Sequence, residues 1–515
     1  MRCGIVLSDV DDSTNSIVGV LLFLHGGVLL RKKLVLTIMM LVLIIWNSIP
    51  VYALSTEQST AIQSFLDDAR RISKAPGMAV AVTVKGETHF FSSGVANREA
   101  GIFADDKTLW ELASVSKAFT ALGLLYLEEQ GLLSLDDSVA KHLPWLTLHY
   151  KGQLLNMQEV KLYHFLHHTV GITNYMHPNR VLDRPGPDTL QNTGNSLINA
   201  ELAFFPGEKM EYGTKNYNIL GLTIEAVSGR SYEDFMENEI FIPLGLTQTF
   251  ANRDNAETTS LLSKGYRNNF LFATTINDSP EARGSVPVGY IIASAEDMAR
   301  WMGIQIGIIQ DVPDVFRAIV SRSHEQGQGV AAPDGGYYAA GWEVNLNEGT
   351  IEHGGGNPGF STYVLLFPEE QIGVTLLANL SGVDAHLIAK NIKGILNGDL
   401  QQAYSMSIVQ ILDIAVSIFT VAAGLLIILL VFLALRRRRQ GQKRHLSTKR
   451  VTLTVILFVI SVALCLLLAF PGLIFSGGWS FILIWAPYSL LTGTIALMLL
   501  SISVTWFVAF PCRIK

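Results

Sequence analysis

Ser114 and Lys117 stand three positions apart in "ELASVSKAFTALGLL" (residues 111–125), where a polar stretch passes into an apolar run of helical period. Residues so spaced share one face of a helix. A lysine held out of water can take the proton of a serine hydroxyl, which makes that hydroxyl a nucleophile for an acyl carbon. A serine at a helix start also serves as an N-cap, so the spacing alone leaves two readings open. The S-x-x-K match is weak by itself, since average usage gives on the order of two by chance in a chain this long. His164, His167 and His168 have helical spacing that could suit a metal, but no cysteine or carboxylate cluster accompanies them, and no metal site is expected. Nor is there a phosphate-cradling loop: Gly354, Gly355 and Gly356 follow a strand rather than opening a helix after one.

The elements around these residues set the frame. "TEQSTAIQSFLDDARRIS" has helical spacing, and "GMAVAVTVKGETHFFSSGVA" alternates as a strand pair broken at Lys85-Gly86. "GYYAAGWEVN", "TIEHGG", "STYVLLFP" and "IGVTLLANL" read as further strands, and "DAHLIAKNIKGIL" as a closing helix. The stretch from Val115 to Arg300 reads as mainly helical with long loops. Strands at both ends of a helical insert imply that the two ends share one sheet.

The 515 residues divide sharply by hydrophobicity. From residue 54 to 400 the composition is that of a soluble domain, and it contains no cysteine, because the chain has only Cys3, Cys465 and Cys512. Disulfides, a cysteine nucleophile and a zinc–thiolate site are thereby excluded from it. Ile414–Leu435, Val451–Phe470 and Pro487–Phe510, within residues 411–510, are each long enough to cross about 30 Å of hydrocarbon as a helix. The loop 436–450, "RRRRQGQKRHLSTKR", carries eight Lys or Arg residues and is expected in the cytoplasm, which puts the soluble domain outside. Residues 31–53 read as a signal peptide, with Arg31-Lys32-Lys33 before an apolar run and cleavage after Ala53. Residues 1–30 then fit a start placed too early, the alternative being a real membrane segment. The net charge of −6 combines one basic cluster with an acidic remainder and gives no support for a nucleic-acid partner.

Four ordered stretches carry a resemblance. "LYHFLHHTVGITNY", "FFPGEKMEYGTKNYNILGLTIEAVSG", "GYIIASAEDMARWM" and "IEHGGGNPGFSTYVLLFPEEQIGVTLLANL", together with the S-x-x-K, resemble the class C β-lactamase and penicillin-binding-protein family of serine hydrolases, from about Gln63 to Leu396. The resemblance implies an α/β (α+β) fold, with an antiparallel sheet built from both ends of the domain, flanked by helices, and a mainly helical insert. It implies that Ser114 is acylated, that Lys117 and Tyr212 move its proton, and that the amides of Ser114 and Gly356 form an oxyanion hole. His353, Gly354, Gly355 and Thr214 are expected to contact substrate, and no cofactor is expected. Two positions depart from the family pattern: Tyr212-Gly213-Thr214 replaces Y-S-N or Y-A-N, and His353 stands where many members have the lysine of K-T-G. A histidine near pH 6.5 would offer charge to a substrate carboxylate only in mildly acidic solution. The expectation is a membrane-anchored serine hydrolase for a small-molecule or peptide substrate; the alternative is a penicillin-binding sensor or cell-envelope scaffold with little turnover.

Overall fold

The computed structural model describes residues 53–173, 189–276, 283–327, 335–399, 402–439, 448–470 and 478–509. The signal peptide and the segment before it lie outside the described residues. Helix α1 (Thr56–Ser73) is opened by Ser55, whose side chain accepts from the Gln58 amide in a capping box, and it buries Ile62, Leu66 and Ala69 along one face. Strands β1 (Gly77–Val84) and β2 (Glu87–Asn97) follow, turned by Lys85 and Gly86 at φ 49° and 94°, and then a short β3 (Ile102–Phe103). Two successive left-handed residues match the twist of a tight hairpin.

The chain then leaves this sheet. The excursion holds α2 (Ser116–Glu129) and α3 (Asn216–Ser228), a hairpin of β4 (Tyr266–Asn269) and β5 (Phe272–Thr275), and α4 (Ala295–Gln305). It returns as β6 (Gly336–Tyr338), β7 (Glu343–Asn345), β8 (Thr350–Asn357), β9 (Phe360–Phe367) and β10 (Ile372–Ala378), closed by α5 (Ala385–Asn397). The sheet is antiparallel in the order β6-β7-β8-β9-β10-β1-β2-β3, and β1 pairs with β10 in the register Met78 to Ala378. Both ends of the domain therefore share one sheet, as the alternating stretches imply. Successive side chains of β1 go to opposite faces: Met78, Val80 and Val82 join Ile62, Leu66, Ile388 and Ile392 beneath α1 and α5. Ala79 and Ala81 join the larger core of the insert with Trp110, Phe119 and Trp301.

Among the described residues three helices are long and apolar enough to cross a membrane: α6 (Ile408–Arg439), α7 (Thr448–Ala469) and, after a short α8 (Gly478–Trp485), α9 (Tyr488–Ala509). The first begins six residues earlier than its apolar run suggests, because its first turns dock on the α/β domain. Gln410 donates to the carbonyls of Ile72 and Ser73 at 3.0 and 2.8 Å. Asp413 accepts from the amides of Phe270 and Leu271 at 3.1 and 2.9 Å. Those two residues turn the β4–β5 hairpin at φ 50° and 72°, a left-handed geometry that costs about 1–3 kcal/mol per non-glycine residue and that the carboxylate holds in place. The domain thus sits at the end where α6 begins, and Arg436–Arg439 lie at the other end of that helix.

Candidate active site

The candidate nucleophile sits in a strained turn. Ser114 occupies a 3-10 turn, Ala113–Val115, that runs into α2, and Ala113 before it has φ 48°. Two bonds hold the turn: Leu112 donates its amide to Ile291 at 2.8 Å, and its carbonyl accepts from the Thr362 hydroxyl at 2.7 Å. Ser114 is not the N-cap that its position could suggest, for no side chain caps either the turn or α2. Its hydroxyl accepts instead from Lys117 Nζ at 3.0 Å. Ser116, the neighbouring hydroxyl, is buried and takes the Ile291 amide at 3.1 Å, a structural bond.

Lys117 is wholly buried, and its Nζ also donates to the carbonyl of Val288 at 2.7 Å. Among the described residues no carboxylate is paired with it. Burial alone drives its pKa well below the ordinary lysine value, because the ammonium loses its hydration without gaining a counter-charge. The amine is thereby biased toward the neutral form that can accept a proton. Lys117 Nζ lies 5.1 Å from the centre of the Tyr212 ring. The Tyr212 side chain is only partly enclosed, but its hydroxyl is buried, makes no hydrogen bond of normal geometry and is turned toward Ser114, which opposes the upward pull of burial on its pKa.

An aromatic shell fixes Tyr212. The His168 ring stands 4.4 Å from Tyr212 and 4.5 Å from Tyr338, and His168 Nδ1 accepts from Asn216 Nδ2 at 3.0 Å and from the Gly213 amide at 3.4 Å. A side chain at Gly213 would meet the Ile172 carbonyl at 2.0 Å, so the departure from Y-S-N also lets two loops touch. The three histidines of the 164–168 stretch do not converge on a common point: His164 Nδ1 accepts from the Lys161 amide, and His167 Nδ1 lies 3.3 Å from the Tyr338 carbonyl. Among the described residues no group of three His, Cys, Asp or Glu could hold a metal.

His353 lies on the buried face of β8. Its side chain is 2% exposed, with Nε2 3.1 Å from the Tyr338 hydroxyl and Nδ1 2.7 Å from the Gly354 carbonyl, and it does not line the pocket. Burial, with Lys117 nearby, pushes its pKa down to about 3. The buried face of β8 takes this side chain out of water, which disfavours the charged imidazolium. The glycines likewise lie within β8 rather than after a strand. A Cβ on Gly355 would come within 2.2 Å of Thr362 Oγ1, 2.7 Å of the Leu112 carbonyl and 2.9 Å of Ala113 Cβ, so its bare backbone is what lets β8 press against the turn of Ser114. A Cβ on Gly356 would meet nothing within 4 Å. Since β7 pairs only with Thr350–Glu352, the β7-side edge of β8 from His353 onward has no strand beside it among the described residues.

Ser114, Thr214 and Gly356 line a pocket of about 60 Å³ with Ser285, Val288, Gly289, Tyr290, Asn357, Pro358, Ile484 and Trp485. Gly354 and Gly355 do not line it. Several of these groups were not visible as candidates in the sequence. Asn357 donates to Glu111 at 2.8 Å and to the Gly289 carbonyl at 2.7 Å, while Glu111 also pairs with Arg253 at 2.7 Å. Burial raises the Glu111 pKa and Arg253 opposes this. The network ties the strand before Ser114, the end of β8 and the segment that holds Val288. Trp485 in the pocket wall and Tyr338 beside His168 and His353 are further cases, and nothing in their local sequence separates them from ordinary packing aromatics.

With this geometry in hand, comparison with known proteins decides the family. The beta-lactamase family pattern matches residues 62–396, about two-thirds of the chain. The chain belongs to the beta-lactamase family. Protein flp of Staphylococcus aureus (strain NCTC 8325 / PS 47) is 28% identical over 462 residues, covering 86% of this chain and 90% of that protein. That reach exceeds the family match and so extends beyond the hydrolase domain. A beta-lactamase of Yersinia enterocolitica is 25% identical over 369 residues, covering 64% of this chain and 90% of the relative. Among solved structures, the octameric penicillin-binding protein homologue from Pyrococcus abyssi superposes with a TM-score of 0.59 at 25% identity, over 66% of this chain and 78% of that one. The beta-lactamase/D-alanine carboxypeptidase from Pseudomonas syringae gives 0.56 at 20% identity, over 67% and 99%, and shows the shared fold. The protein is a class C β-lactamase and penicillin-binding-protein-like serine-hydrolase domain fused to three apolar helices of membrane-spanning length.

Proposed function

We propose that this is a membrane-anchored hydrolase, with its domain outside the cell membrane, that forms an acyl-enzyme on Ser114. The observation that carries the reading is Lys117 Nζ, wholly buried, with no carboxylate partner among the described residues, 3.0 Å from Ser114 Oγ. Neutral Lys117 accepts the hydroxyl proton as Oγ attacks the substrate carbonyl. The oxyanion that forms takes hydrogen bonds from the amides of Ser114 and Gly356. As the tetrahedral intermediate collapses, the leaving amine or alcohol departs with a proton passed from Lys117 through the Tyr212 hydroxyl, and water then repeats the sequence to free the acid and Ser114. Thr214 and the open edge of β8 receive the substrate, while His353 supports Tyr338 from below as a neutral group.

This chemistry, and the likeness to a beta-lactamase and to a beta-lactamase/D-alanine carboxypeptidase, support a substrate class of amide or ester bonds in peptidoglycan-type D-amino-acid peptides, β-lactams or small esters. The outward orientation is supported by the docking of the domain at the end of α6 opposite Arg436–Arg439, since short basic loops stay in the cytoplasm. The test is to incubate the full-length protein in detergent with a panel of β-lactams, D-alanyl-D-alanine peptides and short esters, following acylation and turnover separately. Acylation with release by at least one class is expected. No covalent adduct with any of them would overturn the reading.

A further inference from the structure

The pocket beside Ser114 is not walled by the hydrolase domain alone. Ile484 and Trp485, at the end of α8, line it together with Ser114, Thr214 and Gly356. Tyr488, the first residue of the third membrane helix, follows three positions later. A segment of the membrane region therefore reaches the reacting group.

Its place is held by two ties. Arg267 of β4 is buried, and its Nη1 donates to the carbonyl of Leu483 at 2.6 Å and lies 3.5 Å from that of Ile484. The same guanidinium lies 3.6 Å from the centre of the Tyr488 ring, a cation–π stack. Beside it, Asp413 of α6 accepts from the Ser489 hydroxyl at 2.6 Å as well as from the amides at the tip of the β4–β5 hairpin. One hairpin thus clamps the first and third membrane helices and fixes Ile484 and Trp485 against the pocket.

The level of this contact decides what enters. The hairpin leaves Phe272 70% exposed, next to the first turns of α6, where Ile408 is 84% exposed. Tryptophan and tyrosine at the ends of membrane helices sit at the level of the lipid headgroups, as Trp485 and Tyr488 would here. The pocket itself has room for about 60 Å³, against about 300–1,000 Å³ for the site of a drug-sized ligand. A small acyl group fits beside Ser114, and the remainder of a larger substrate has to pass along the wall that Ile484 and Trp485 make.

The geometry points to a substrate held in the same membrane: an amphiphile whose scissile acyl group reaches Ser114 and whose apolar part lies along Ile484 and Trp485. This rests on the acyl-enzyme reading above and narrows its substrate class. The acyl carbon bonds to Ser114 Oγ, the alcohol or amine leaves with a proton, and water releases the acid, as for any substrate of the site. Trp485 is then a specificity-determining residue. Arg267 is a positioning residue that acts through the backbone of residues 483 and 484.

The test uses full-length protein in lipid nanodiscs of phosphatidylglycerol and phosphatidylethanolamine, and two p-nitrophenyl methylphosphonates, one with a methyl ester and one with a hexadecyl ester. Each labels a reactive serine without turnover. The readout is the ratio of second-order labelling rates, hexadecyl over methyl, because partitioning into the bilayer is common to all variants and cancels between them. Trp485→Ala should lower the ratio by about tenfold, as expected for losing part of an aromatic contact of 150–250 Å². Trp485→Leu, which keeps an apolar wall, should retain most of it, and Arg267→Gln should lower it while leaving the wall residues unchanged. If Trp485→Ala does not fold, by loss of cooperative thermal unfolding, Arg267→Gln carries the test. A ratio unchanged in both variants, or labelling by both reagents raised equally, overturns the inference and leaves the acyl-enzyme reading standing. Failure of either reagent to label the parent protein overturns that reading, and the inference with it.

Discussion

Replacing Lys117 by Met separates catalysis from folding. The methionine keeps an unbranched stem in a wholly buried space and removes the amine. The carbonyl of Val288 then loses its donor at 2.7 Å, and a buried acceptor left unpaired costs about 1–3 kcal/mol. Against this, the fold no longer has to desolvate an amine whose charged form burial disfavours, a relief of about 1–3 kcal/mol on the scale of mutational data. The two offset, and at about 2–4 °C per kcal/mol for a large domain the midpoint should move by no more than about 5 °C. Acylation should instead slow by about 10²–10⁴-fold, the range for a positioned proton acceptor, or roughly 3–5 kcal/mol of barrier. The assay pairs the labelling rate by a fluorescent phosphonate with thermal unfolding of the same preparation. Labelling of Lys117→Met at the parent rate would refute the base assignment. Loss of labelling together with loss of cooperative unfolding would show that Lys117 acts on the fold rather than on Ser114.

Gly355→Ala should destabilise the domain by about 1–3 kcal/mol and slow labelling of Ser114, because its Cβ would meet the Leu112 carbonyl at 2.7 Å and Ala113 Cβ at 2.9 Å; Gly356→Ala, facing open space, should leave the unfolding midpoint within about 2 °C. Acid should weaken the fold early: burial holds His353 near pKa 3 and His164 and His324 near 4, so stability is complete above pH 6.5 and is lost as pH falls toward those values. At pH 5 the unfolded chain holds each of these protons and the folded chain does not, about 2 kcal/mol for each, and a midpoint that does not fall between pH 7 and pH 5 would contradict their burial as neutral groups. Glu111 and Asp297, whose carboxyls burial pushes up, act in the opposite direction and blunt the loss as pH falls through their raised values toward the ordinary carboxyl range. In intact cells, external protease should reach the 54–400 domain and spare the basic loop 436–450; cleavage of the loop from outside would reverse the assigned orientation.

The outer parts of the fold were legible because they obey simple periods. The alternation of "GMAVAVTV" and "IGVTLLANL" gave strands that pair in the structure, and the spacing of Ile62, Leu66 and Ala69 gave α1. The short strands of the insert, such as Leu109–Glu111 and Ile292–Ser294, have three residues each, too few for a period of two to show. The β4–β5 hairpin lacked the glycine or asparagine that usually marks such a turn, since Phe270 and Leu271 are held there by Asp413 of a distant helix. At the site, Ser114 and Lys117 were readable because one turn of helix joins them. Tyr338 under His353, Asn357 against Glu111 and Trp485 beside Ser114 are meetings through space, and no local pattern encodes them. His353 is a related case: sequence gives its position on the strand but not the face, and its ring lies near those of Tyr212 and Tyr338.

The central claim is a covalent acyl group on Ser114, and mass spectrometry of the full-length protein tests it most directly. The protein is quenched during turnover of whichever substrate acylates it, digested, and the peptide spanning residues 111–125 fragmented. An added mass equal to the acyl group is expected, localised to Ser114 and absent from Ser116, with no adduct in Ser114→Ala. An adduct on Ser116, or one that persists in Ser114→Ala, would contradict it.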